Sequence, residues 1–151
     1  MRLSAKADYA LRAAIELAAH QGEHVKMDRI AEAQRIPVRF LEHILLELKH
    51  AQLVESRRGA DGGYRLARPP EELTLADVVR AVEGPLANVR GVRPESLEYE
   101  GSAAPLRDVF VALRASVRTV LEHVTLADVA HGELPRVVHD LTRDADAWSP
   151  R

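Results

Sequence analysis

The chain has no cysteine in 151 residues. That excludes disulfides, thiol catalysis, direct thiol redox sensing and any thiolate-ligated metal site. Aromatic residues make up only 4%, so a core must be assembled from Leu, Val, Ile and Ala, a composition that favours helices. No run of about 18 apolar residues occurs, so no membrane-spanning helix is expected. The opening stretch, "MRLSAKADYALRAAIELAAH", carries early charges and helical periodicity, unlike a signal peptide. The length leads us to expect one cytoplasmic domain, or a small domain with an extension.

Catalytic and ligand-binding signatures are also missing. No G-x-S-x-G occurs, and no serine has a distinguishing context. The glycine-rich "GADGGY" fits neither G-x-x-x-x-G-K-[ST] nor G-x-G-x-x-G, and no helix follows it to offer its N-terminus to a phosphate. Of His20, His24, His43, His50, His123, His131 and His139, none builds an H-E-x-x-H pattern. His20 and His24 are four residues apart, but Gly22 interrupts a helix between them. His123, His131 and His139 with Asp128 or Asp140 form only a weak candidate cluster. An enzyme is not expected, and no catalytic, cofactor or metal residue is assigned.

What is present is a series of helical patterns with one hairpin signal. Ser4 is placed to cap a first helix, with Ala7, Leu11, Ala14, Ile15 and Ala18 at helical spacing. Asp28 is expected to cap a short second helix that Pro37 stops. Pro37 then opens a third helix, "VRFLEHILLELKHA", whose apolar face is Leu41, Ile44, Leu45 and Leu48. "LVESRRGADGGYRLA" reads as strand, turn, strand. In "TLADVVRAVEG", Thr74 and Asp77 have capping-box spacing and Gly84 ends a fourth helix. The letters "TLADV" recur at 125–129, read as a second helix start and not as a duplicated domain. Residues 85–104 lack periodicity and form a long loop. From Pro105 to Val124, the residues Leu106, Phe110, Leu113, Val117, Val120 and Val124 form a heptad seam. Its narrowness and charged flanks favour a self-associating helix over one packed on its own domain. A short helix in "LPRVVHDL" and a frayed tail at 144–151 complete the expectation.

The net charge of −2 does not announce a nucleic-acid partner, but its distribution is uneven. Around the turn, Arg57, Arg58, Arg65 and Arg68 face only Asp61. Three short helices followed by a basic hairpin is the order of a winged helix-turn-helix. A helix of this kind fits the major groove of double-stranded DNA, and its first residues reach base edges. Those are Val38, Arg39, Glu42 and His43. Arg39 suits guanine or phosphate, and Glu42 suits the cytosine amino group. Glu42 is equally a solvated helix-face carboxylate on sequence alone. Arg57, Arg58 and Gly59 at the hairpin tip would meet the minor groove.

The segments "MRLSAKADYALRA", "IAEAQRIPVRFLEHILLELKHAQLVESRRGADGGYRLAR" and "LTLADVVRAVEGPL" resemble the Rrf-two family of bacterial regulators, the family of IscR, NsrR and CymR. The resemblance is close over residues 1–86 and loose beyond. It implies a mainly α fold with a small β-hairpin: a winged helix-turn-helix at 1–84, a loop at 85–104, and a dimerisation helix with C-terminal helices at 105–143. It implies a homodimer that reads a palindromic site, with Arg39, Glu42 and His43 on the recognition helix, Arg58 and Gly59 on the wing, and Tyr64 packing the wing. Many members hold an iron–sulfur cluster through cysteines in the loop, some with a carboxylate and a histidine near the N-terminus. This loop has no cysteine, and Asp8 and Arg12 stand near the N-terminus. The expectation is a cluster-free repressor, regulated by a small molecule or a protein if at all. The alternative is a winged-helix module that holds a protein partner. Tyr99, Arg90 and Arg93 serve equally as candidate effector contacts or as loop surface.

Overall fold

A computed structural model describes residues 2–150. Its central element is α1 (Ala5–Ala19), which starts where the Ser4 hydroxyl oxygen accepts from the Ala7 amide at 3.0 Å. Ala7, Ala10, Ala13, Ala14 and Ala18 are all buried. Methyl-sized side chains let neighbouring helices approach closely, and α1 is flanked by four of them and by the hairpin.

The next two helices are α2 (Met27–Gln34) and α3 (Val38–His50). The sequence placed the cap of α2 at Asp28 and its stop at Pro37. Instead Lys26 is the cap residue and Asp28 lies in the first turn, where a carboxylate suits the helix dipole. Arg35 ends α2 by entering the left-handed region at φ 51°, ahead of the proline. The Ile36 amide then bonds the Ala31 carbonyl at 2.9 Å and its side chain is buried, which fixes the angle of the turn. Pro37 sits at the cap of α3, one residue outside the helix.

Strands β1 (Val54–Arg57) and β2 (Gly63–Leu66) pair antiparallel, with Val54 opposite Leu66 and Arg57 opposite Gly63. Val25 adds a bridge on the other edge of β2: its amide and carbonyl both bond Tyr64, each at 2.8 Å. This close approach explains Gly63, and the tightness of the turn itself explains Gly62. A Cβ on Gly63 would lie 2.5 Å from the Val25 carbonyl oxygen, and one on Gly62 would lie 2.2 Å from that of Arg57. Gly59, at the tip, faces open space.

Helix α4 (Leu75–Glu83) begins with the capping box expected of Thr74 and Asp77. Helix α6 (Leu126–His131) begins with the same box built by Thr125 and Asp128. The two "TLADV" starts lie face to face. The Leu75 amide bonds the Val124 carbonyl at 2.9 Å, and the Leu126 amide bonds the Leu73 carbonyl at 2.8 Å. Leu126 thereby joins the core around Leu17, Ile30, Leu41, Ile44, Leu45 and Leu48. Each such leucine contributes roughly 1.5–3 kcal/mol by leaving water.

Between them runs α5 (Leu106–Leu121), with no buried residue. It ends three residues before Val124, which is buried in the core and off the helix. The loop ahead of α5 is packed: Leu86, Pro94 and Leu97 are buried, and Glu95 pairs with Arg114. After α6 comes α7 (Arg136–Thr142). The segment expected to fray instead forms a 3₁₀ turn over Ala145–Trp148, with Asp144 accepting from the Asp146 amide at 2.9 Å.

Candidate nucleic-acid interface

The inner side of α3 is Leu41, Ile44, Leu45 and Leu48, none more than 1% exposed. Burying that side turns Val38, Arg39, Glu42, His43 and Leu46 outward, and all five are exposed. The start of α3 carries no side-chain cap bond. No side chain therefore competes for the Val38 and Arg39 amides at the positive end of its dipole, an arrangement suited to a phosphate. Among the described residues, no hydrogen bond or ion pair engages the side chains of Arg39, Glu42, His43 or Arg58.

The structure brings the helix and the hairpin tip together with bonds the sequence did not reveal. From the end of α3, Lys49 donates through Nζ to the Ser56 hydroxyl on β1 at 2.7 Å. Ahead of α2, Lys26 donates through Nζ to the Gly59 carbonyl at 2.7 Å. Arg57 turns inward along the tip, donating to the Asp61 carbonyl at 2.8 Å. Arg65 pairs across the strands with Glu55. That leaves Arg58 as the tip arginine with an unengaged guanidinium, while Arg57 is partly used in holding the turn. His24 stands beside this base. Partial desolvation, then Arg57 and Arg65, hold its imidazole below the usual pKa. Tyr64 is half-buried against the core, as the resemblance implied.

Phe40 escaped the sequence reading. It is 45% exposed in the first turn of α3, 6.1 Å from the Tyr9 ring, with the Arg39 guanidinium 4.9 Å from its own ring centre. Its position off the Leu41–Ile44–Leu48 stripe was the available signal. Lys26 and Lys49 had none, since their roles depend on where the hairpin lands.

Asp8 and Arg12 form an ion pair at 2.8 Å, and Arg12 also donates through Nη1 to the Gln34 carbonyl at 2.6 Å. Arg12 thus ties α1 to the end of α2, just before the turn into α3. Tyr99 meets Phe110 at 6.4 Å between ring centres, on the flank of α5. Arg90 and Arg93 are exposed on the loop surface.

A buried-backed α3 whose outer side carries exposed Arg39, Glu42 and His43, next to a cationic hairpin braced against it, defines a winged helix-turn-helix of the DNA-binding class. The comparisons agree. The profile of the Rrf2 family, described as an iron-dependent transcriptional regulator, matches residues 3–132. A Mycobacterium tuberculosis protein, provisionally named an HTH-type transcriptional regulator, is 53% identical over 145 residues, spanning 95% of this chain and 90% of that one. The HTH-type regulator CymR of Bacillus subtilis is 37% identical over 131 residues, spanning 86% and 90%. Its solved structure superposes with a TM-score of 0.75 at 35% identity, covering 87% of this chain and 98% of that one. The structure of T. potens IscR superposes at 0.71 with 32% identity, covering 90% and 93%. The chain belongs to the Rrf2 family of transcriptional regulators.

The family description names iron, and the residues here do not fit a thiolate-held cluster. There is no cysteine, and no group of three or more metal-ligating side chains exists among the described residues. Asp8 is already committed to Arg12.

Proposed function

We propose that this regulator binds a palindromic operator as a homodimer and represses transcription in the cytoplasm, without an iron–sulfur cluster. Residues 1–84 form the DNA-reading part, 85–104 the loop, and 105–143 the dimerising part. Arg39, Glu42, His43 and Val38 read the major groove, and Arg58, supported by Arg57 and Gly59, enters the minor groove. The observation that carries this reading is the shared exposure of α3's outer side and the Arg58 tip, where Arg39, Glu42, His43 and Arg58 make no hydrogen bond or ion pair within the described residues.

The homodimer is supported by α5, where Leu106, Val109 and Leu113 are 38%, 59% and 43% exposed. Apolar side chains in a row at that exposure are what a second helix covers. Two symmetry-related α3 helices would meet half-sites about 34–36 Å apart, one helical turn of DNA.

Genome-wide mapping of binding sites tests the reading. The expected result is an inverted repeat with half-site centres about 10 base pairs apart, upstream of genes whose expression rises when the regulator is deleted. Sites with no repeat, or genes that fall on deletion, would contradict the dimer or the repressor assignment respectively.

A further inference from the structure

Residues 133–150 lie beyond the segment matched by the family profile, and they hold the chain's single tryptophan. Trp148 is 74% exposed, the largest value among the exposed large apolar side chains. Yet it is not loose. Its Nε1–H donates to the Thr142 carbonyl at 2.8 Å, which caps the end of α7. The polar edge of the indole is thereby satisfied within the chain, and the apolar faces are presented outward in a fixed orientation. A tryptophan held this way contributes to binding with little ordering cost. Leu141, on the preceding helix, is 57% exposed, and Leu134 is 37% exposed.

This patch adjoins α5 through α7, which packs on α5 and against which the Ala145–Trp148 turn packs in turn. The area argues for joining the two. Helix α5 has 16 residues. Such a helix is about 24 Å long and about 10 Å wide, so its face offers a few hundred Å² against the roughly 800 Å² per partner of a stable interface. Dimerisation through α5 alone would fall short, and the adjoining surface of α7 with its tryptophan supplies further apolar area.

We infer that Trp148, with the exposed Leu141 of α7, is a dimer anchor that packs against a second copy of this chain. The inference rests on the homodimer reading above. Its occupant follows from that adjacency: α7, which carries the patch, packs on α5, the helix proposed to meet a second copy.

The single tryptophan makes the test direct. The full chain is followed by sedimentation and by acrylamide quenching of tryptophan emission across a dilution series. The expected result is that emission is blue-shifted and poorly quenched while the dimer persists, and becomes red-shifted and readily quenched as it dissociates. Trp148→Ala should raise the dimer dissociation constant by at least about tenfold, the effect of losing an aromatic anchor. Trp148→Phe should recover most of it. A dimer whose tryptophan is as quenchable as in the monomer, or a Trp148→Ala dimer of unchanged strength, overturns the anchor and leaves the dimer standing. A chain that sediments as a monomer at every concentration overturns both. Trp148→Ala that fails to fold leaves the quenching of the wild-type chain as the deciding measurement.

Discussion

In α3, Leu41, Ile44, Leu45 and Leu48 are each no more than 1% exposed, whereas in α5 no residue is buried and Val109 stands 59% exposed. Both helices carry an apolar stripe at helical spacing. In α3 the stripe is covered by α1, α2 and the hairpin, so the opposite, polar side is presented with a defined orientation. In α5 only part of the stripe faces outward: Leu106 and Leu113 are exposed, whereas Phe110, Val117 and Val120 are half-buried. Amphipathic spacing states that a face requires cover; it does not state whether the cover comes from the same chain.

The contrast can be broken first by truncation. Leu45→Ala should lower the unfolding free energy by about 2–5 kcal/mol, the range for a leucine removed from a packed core. Leu113→Ala, 43% exposed in the single chain, should cost less than about 0.5 kcal/mol below the dimerisation concentration. Urea unfolding at two protein concentrations compares them; equal costs would erase the distinction between the two helices.

Next in size is the hairpin that orients α3's polar side. Gly63→Ala places a Cβ against the Val25 carbonyl at a φ of +144° and should cost about 2–3 kcal/mol. Gly59→Ala, with open space around it and φ +103°, should cost about 1 kcal/mol from backbone conformation alone. Similar losses in unfolding midpoint for both would mean that the Val25–Tyr64 bridge does not hold the wing.

On the polar side itself, Glu42→Ala should relax base preference at one position per half-site by about 1–3 kcal/mol. Arg58→Ala should weaken binding across sequences, reducing the salt slope by about 1 per protomer. Measured on a panel of operator variants, unchanged selectivity and affinity would remove both residues from the interface.

The smallest effect concerns the joint between the regions. Glu122 accepts from Arg118 at 2.9 Å and pairs with Arg80 of α4. Hydrogen bonds from Arg118 and then Arg80 draw its carboxyl from the usual 4.5 down to about 2. A carboxyl depressed by folding adds stability that is complete above its unfolded value and is lost as pH falls toward the folded one. Glu122→Gln should therefore flatten the acid limb of stability between about pH 5 and 2, read from urea midpoints; an unaltered limb would show that the joint carries no charge-dependent stability.

Much of this architecture was legible in the residues. Capping signals at Ser4, Thr74 and Thr125 and the spacing of Leu41 to Leu48 each act locally, so the sequence displays them. What it did not display depends on distant partners. The start of α2 was misplaced because Lys26, which makes no side-chain capping bond, holds the cap position that Asp28 was expected to take. The seam of α5 was drawn one step too far because Val124 is claimed by the pairing of the two "TLADV" starts, residues about fifty positions apart. Lys26 and Lys49 were invisible as wing supports for the same reason. At the tip, Arg57 and Arg58 read alike in sequence, and only the folded turn separates the arginine bonded to Asp61 from the one left unengaged.

The central claim is that α3's outer side and the Arg58 tip grip DNA through a symmetric pair of protomers. Fluorescence anisotropy of the mapped operator, titrated with the full chain at several salt concentrations, tests it most directly. The account predicts two chains per operator and at least about a hundredfold loss of affinity between roughly 50 and 200 mM salt, with an Arg39→Ala, Arg58→Ala double variant binding far more weakly and with a shallower slope. One chain per operator, or a salt-insensitive affinity that the double variant retains, would contradict it.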